Sequence, residues 1–154
     1  MDFNDAMAAL AENAGVEEGF APDEDGVVHV GCDDLTLSFT EVPEAQALVI
    51  WSPIRTLPET GAEKLKTSLL KANFMGRAVA GGTLSLSDDG VVYLHQTMQL
   101  LPLDKSIFLR RVEDFLMILA DWTSALAAYD PTAADAAPDG VRADETDLSG
   151  FIKV

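Results

Sequence analysis

Between Leu69 and Leu100 the apolar positions switch from the spacing of a helix to that of a strand. Leu69, Leu70 and Phe74 close an amphipathic segment that breaks at Gly76, and a glycine pair follows at Gly81 and Gly82. Leu84 and Leu86 then alternate with Thr83, Ser85 and Ser87, as a strand with one buried face requires. After Asp89-Gly90, the positions Val92, Leu94, Met98 and Leu100 fall on one face, interrupted by the polar Gln96. This pattern predicts a helix feeding a β-hairpin, with Asp89-Gly90 supplying the positive φ angles of a two-residue loop.

Upstream, Phe3, Met7, Leu10 and Ala14 recur at helical spacing, with Asp2 or Asn4 placed to cap a first helix and Gly15 to end it. Residues 16–26 have no period and read as an acidic loop. Val27 to Val30 predict a short strand; Leu35, Leu37 and Phe39 alternate with Thr36, Ser38 and Thr40 as a second. The segment Ala47 to Ser52 is apolar on both faces, which suits a central strand or one whose second face meets a partner. Thr56 with Glu59, and Thr60 with Glu63, have capping-box spacing and place the start of a second helix near one of them. On that helix Ala62, Leu65, Leu69 and Ala72 form one stripe and Leu70 and Phe74 another beside it. An arc this wide can pack on the domain with one side and on a partner with the other. Pro102 and Asp104 open the longest helix, roughly residues 105–129, whose stripe runs Phe108, Val112, Phe115, Leu119, Trp122, Leu126 and Tyr129.

The order is therefore helix, three strands, helix, two strands, helix: an α+β domain over residues 1–129 with one twisted antiparallel sheet covered by helices. From Asp130 the composition turns to Ala, Asp and Pro, so residues 130–154 are expected to form a mobile acidic tail, with Leu148, Phe151, Ile152 and Val154 as its apolar end.

A chain of 154 residues can bury a core of its own. Its single cysteine, Cys32, cannot form an internal disulfide, which agrees with a reducing compartment. No apolar run has the length of a bilayer span, and the first residues do not read as a secretory leader, so a cytoplasmic protein without membrane insertion is expected. Charge narrows the partners. With 26 acidic against 10 basic residues the net charge is −16, which repels phosphate backbones and argues against nucleic acid. Basic or amphipathic polypeptides are the natural complement.

Catalytic and cofactor constellations are lacking in the sequence. Gly76, Gly81, Gly82 and Thr83 approach a phosphate-loop spacing, but Gly82 stands where the lysine belongs and the loop runs from helix to strand. His29 and His95 lie on separate predicted strands without further ligands at metal spacing. Cys32 is followed by two aspartates, which disfavour a thiolate. No catalytic residue, metal or cofactor is assigned. An enzyme acting on a small molecule, with His95 as the residue to mutate, is the reading that these features support least.

The segment Leu69, Leu70, Ala72, Asn73, Gly76, Gly81, Thr83, Leu84, Leu86 and Gly90 follows the pattern LL-x-A-N-x-x-G-x-x-x-x-G-x-T-L-x-L-x-x-x-G. In this it resembles the Tir chaperone family, the class I type III secretion chaperones, and the flanking elements match in kind and order up to about Tyr129. The resemblance implies a homodimeric chaperone in the bacterial cytoplasm. Such a protein binds the N-terminal region of a secreted effector, keeps it non-globular and soluble, and presents it to the secretion apparatus. It also implies a dimer contact from the second helix and the neighbouring hairpin, here Leu65, Leu69, Leu70, Phe74 and Met75. The apolar excess in the strands points to Val28, Val30, Val49 and Trp51 as the effector-binding surface. The alternative is a related bacterial adaptor or regulator with folded partners.

Overall fold

The computed structural model describes residues 1–76 and 78–129. The expected tail, 130–154, lies outside the described residues. The elements follow the predicted order: α1 (Phe3–Ala14), β1 (Val27–Cys32), β2 (Leu35–Val42), β3 (Ala47–Thr56), α2 (Glu63–Asn73), β4 (Thr83–Leu86), β5 (Val91–Gln99) and α3 (Lys105–Ala127). The strands form one antiparallel sheet in the order β1-β2-β3-β5-β4.

One face of that sheet takes all three helices. Val28 and Val30, Leu37 and Phe39, Leu48 and Ile50, Leu84, and Leu94 and Met98 join the helix stripes in a single core. From α3 come Phe108, Phe115, Leu119, Trp122 and Leu126; from α1, Phe3, Met7 and Leu10; from α2, Leu65 and Leu69. The pleat makes this one-sidedness possible, because successive side chains point to opposite faces.

Local chemistry sets the helix ends. Asp2 accepts from the backbone N–H of Asp5 while Asp5 accepts from that of Asp2, a reciprocal cap on α1, and Gly15 closes the helix in the left-handed conformation at φ 70°. Asp104 caps α3 through the N–H of Ile107 at 2.9 Å. At its other end, the guanidinium of Arg55 donates to the carbonyls of Leu126 and Tyr129, and the Tyr129 hydroxyl donates to Gly61 O at 3.0 Å. Trp122 is buried, and its indole N–H donates to Ala78 O at 2.9 Å, tying the middle of α3 to the loop after α2.

Two expectations change. Neither capping box forms: β3 runs on through Pro53 to Thr56, which pairs with Val91, and α2 begins after a fully buried Ala62 with no side-chain cap. Pairing claims the Thr56 backbone before it can serve a helix. The hairpin loop is also longer than two residues. Gly90 N donates to Ser87 O and Ser87 N to Val91 O, so Asp88, Asp89 and Gly90 make a three-residue loop with a turn followed by one left-handed residue, Gly90 at φ 78°. Gly82 has a different role from the one its neighbours suggest. A Cβ there would stand 3.0 Å from Val79 O and 3.2 Å from His95 O, so the close approach of backbones selects glycine.

Backbone N–H donors hold the Asp104 carboxyl below its ordinary value, Ile107 first, helped by the Ser106 hydroxyl. A depressed pKa contributes stability above the unfolded value, which is lost as pH falls through the folded one. Asp104→Ala therefore lowers the urea midpoint at neutral pH, and its gap from wild type narrows from about pH 5 to about pH 2 in parallel denaturation series.

Candidate functional site

The face of the sheet away from the helices carries a continuous row across every strand. Register pairs His29 with Ser38, Ser38 with Trp51, Trp51 with His95 and His95 with Thr83. Flanking positions are Val49 opposite Thr40 on one side and Tyr93 opposite Pro53 on the other. Trp51 is the centre. Its indole N–H donates to the Thr40 hydroxyl at 3.0 Å, which draws the ring toward β2. The His29 ring meets it edge-on with centroids 6.3 Å apart, and the Tyr93 ring is tilted by 58° at 6.0 Å. Trp51, Tyr93, His95 and Val49 are all half-buried.

His29 is held at both nitrogens. Nδ1 lies 2.9 Å from the Ser38 hydroxyl and Nε2 lies 3.0 Å from the Asp23 carboxylate. Asp23 also accepts from the N–H of Val27 and of Asp25, and these bonds, Val27 first, hold its carboxyl below the ordinary value. An Asp–His–Ser chain invites a hydrolase reading, but a nucleophile must be reached, and Ser38 is 2% exposed. Its hydroxyl anchors His29, and His29 anchors the loop. Among the described residues no three His, Cys, Asp or Glu side chains gather closely enough to hold a metal ion.

The chain itself meets each edge of the sheet at one place. At β1, Pro22 bridges Val28, and Asp23 N donates to Val27 O while Val27 N donates to the Asp23 carboxylate, each at 2.8 Å. At β4, the Asn73 side chain takes both backbone groups of Leu84: Nδ2 donates to the carbonyl and Oδ1 accepts from the N–H, each at 2.8 Å. A carboxamide here imitates one residue of a neighbouring strand, which protects an edge from unwanted pairing.

A second apolar surface lies at the far end of α2. Leu70, Phe74 and Met75 are 73%, 68% and 76% exposed, and Met75 has φ 60° where the helix breaks. Beside them a groove of about 220 Å³ is lined by Lys66, Leu69, Leu70, Leu84, Ser85 and Leu86.

These positions divide the sequence-predicted sites. Val49 and Trp51 lie on the open face, but Val28 and Val30 are 1% and 8% exposed and point into the core, because register sets them opposite Phe39 and Leu37. The two pairs never share a surface. Leu65 and Leu69 likewise pin α2 to the core, whereas Leu70, Phe74 and Met75 face outward. Leu86, read as a core position from its alternation with Leu84, is exposed because β4 is an edge strand. Asp23 and Tyr93 were not legible as partners of His29 and Trp51. Asn73 was visible in the motif, but not its contact.

The fold and these surfaces define a one-sided α+β module that, among the described residues, presents one apolar surface on the sheet and another at the end of α2. The chain belongs to the Tir chaperone protein (CesT) family, whose model matches residues 6–123. Among solved structures it is similar to a chain of the ExsC–ExsE complex, with TM-score 0.66, 18% identity, and coverage of 82% of this chain and 97% of that one. It is also similar to a chain of the complex of the Yersinia pestis type III secretion chaperone SycH with a stable fragment of YscM2, with TM-score 0.61, 19% identity and coverage of 79% and 97%. A third likeness is to the heterodimeric ExoU–SpcU complex from the type III secretion system of Pseudomonas aeruginosa, with TM-score 0.60, 15% identity and coverage of 78% and 93%. No curated protein matches the chain significantly by sequence.

Removing the Asn73 carboxamide leaves the Leu84 N–H and C=O without their partner. Asn73→Ala is expected to cost about 1–3 kcal/mol in urea unfolding and to speed amide exchange at Leu84. Asn73→Asp, which sets a carboxylate oxygen against the Leu84 carbonyl, is expected not to restore wild-type stability.

Proposed function

We propose that this chain is a type III secretion chaperone. It acts as a homodimer in the bacterial cytoplasm, binds the N-terminal region of a secreted effector, keeps that region soluble and non-globular, and presents it for export. It makes and breaks no covalent bond. The observation that carries this reading is the family match from Ala6 to Thr123, which runs through all five strands and α2 and most of α3. The fold likeness to a chain of a type III secretion chaperone complex and to a chain of a type III secretion system complex supports it.

The two surfaces suit two partners. The open sheet face, with Val49, Trp51 and Tyr93, takes the effector segment. Val28 and Val30 act from beneath, as core that keeps the strands in register. Leu70, Phe74 and Met75, extended by Leu86, meet the second copy, with Leu65 and Leu69 holding α2 in place. Asp23 and Asn73 hold the edge backbone at Val27 and Leu84, so client side chains on the face lead recognition, and strand addition at either of these two positions requires displacing the residue there. The net charge of −16 speeds encounter with basic segments.

Light scattering is expected to give about twice the 16.5 kDa mass of one chain. Leu70→Asp is expected to reduce it to one chain mass while leaving the circular dichroism spectrum intact, since the new charge enters only the contact. Co-expression with candidate effectors should recover one extended N-terminal segment per dimer, shown by its rapid proteolysis when free and its protection when bound. Recovery of a globular partner in its place, or a monomer at high concentration, overturns the proposal.

A further inference from the structure

The open face is unusual in its charge as well as its exposure. Arg55 is the single lysine or arginine on the five strands. It pairs in register with the buried Val92, and its guanidinium is engaged by the Leu126 and Tyr129 carbonyls on the helix side. No lysine or arginine of the strands therefore stands on the face that presents Trp51, where the basic groups are the imidazoles of His29 and His95. Asp23 brings a carboxylate to the aromatic row through His29, at 3.0 Å.

Trp51 itself is prepared to receive a side chain. Its N–H is satisfied by Thr40, so a partner need supply no acceptor, and the tilted Tyr93 ring makes a two-walled corner with the indole. Aromatic faces carry negative potential, and tryptophan is the strongest of them as a seat for a cation. An aliphatic side chain could fill the same corner by shape. The surrounding charge favours a cation, because a chain with 26 acidic and 10 basic residues attracts it and no lysine or arginine of the strands repels it.

We propose that the Trp51–Tyr93 corner seats an arginine side chain of the bound effector segment, its guanidinium lying against the indole while neighbouring apolar residues rest on Val49. This deepens the chaperone reading and rests on it. It names a requirement for the client: an arginine placed among small or apolar residues in an extended stretch that crosses β3 and β5. The corner thereby selects among non-globular chains that hydrophobic contact alone would treat alike.

The test uses the full chain and two synthetic heptapeptides, acetyl-Thr-Val-Thr-Arg-Thr-Val-Thr-amide and the same sequence with neutral citrulline for arginine. Titration is followed at the indole N–H signals in nitrogen–proton spectra, where the buried Trp122 serves as the internal reference. The arginine peptide is expected to shift Trp51 and leave Trp122 in place, and citrulline is expected to weaken binding roughly 3- to 30-fold. Trp51→Leu and Tyr93→Leu should each remove most of that preference, and added salt should reduce it. Equal affinity for the two peptides, a preference that survives Trp51→Leu, or no shift at Trp51 overturns the arginine seat. Any of these results, obtained while an extended effector segment still co-purifies with the dimer, leaves the chaperone reading standing. Loss of that co-purification overturns the chaperone reading by itself.

Discussion

One-sided burial of the sheet is the constraint on which the rest of the structure depends. Three helices pack on a single face, and the strand pleat sends every second side chain to the other. A sheet covered on both sides would hide Trp51 and Tyr93, and one covered on neither would have no core. The long apolar stripe of α3 supplies most of the cover, and its end is fixed by Arg55 and Tyr129. The one arginine on the strands is thereby used for architecture, and no lysine or arginine of theirs stands on the open face.

An exposed face of this kind brings a hazard, since an uncovered sheet also has edges that pair with other chains. The chain meets it with short polar substitutes for strands. Asn73 matches the donor and acceptor of Leu84 with one carboxamide, and the segment around Pro22 and Asp23 does the same for β1. Asp23 connects this edge to the face through His29 and Ser38, so the loop before β1 and the aromatic row are mechanically one unit. An open face and local protection at the edges are compatible for that reason.

The apolar end of α2 follows a different logic. Leu65 and Leu69 face inward while Leu70, one residue further round the helix, faces out, and the left-handed Met75 ends the helix so that Phe74 and Met75 remain exposed. Two stripes on one helix therefore serve two surfaces. Family membership agrees with a partner on the outer one, and the groove beside Leu86 continues it across β4.

Periodicity and cap chemistry by themselves determined the element order, a first helix starting at Asp2 or Asn4, the Asp104 helix start, the Gly15 stop and the stripe of α3, because each is set by residues within a turn or two of one another. The motif from Leu69 to Gly90 likewise identified the family from local spacing. Only the tertiary structure decided which face each strand shows to the helices. Val28 and Val49 look equivalent as apolar strand residues, yet register turns the first inward and the second outward. It also decided that β4 is an edge, which exposes Leu86, that Asn73 lies against Leu84, and that Asp23 reaches His29. The reason is physical: a strand's alternation is visible in its own residues, but which half of the alternation is buried depends on where distant helices pack and which strand lies alongside.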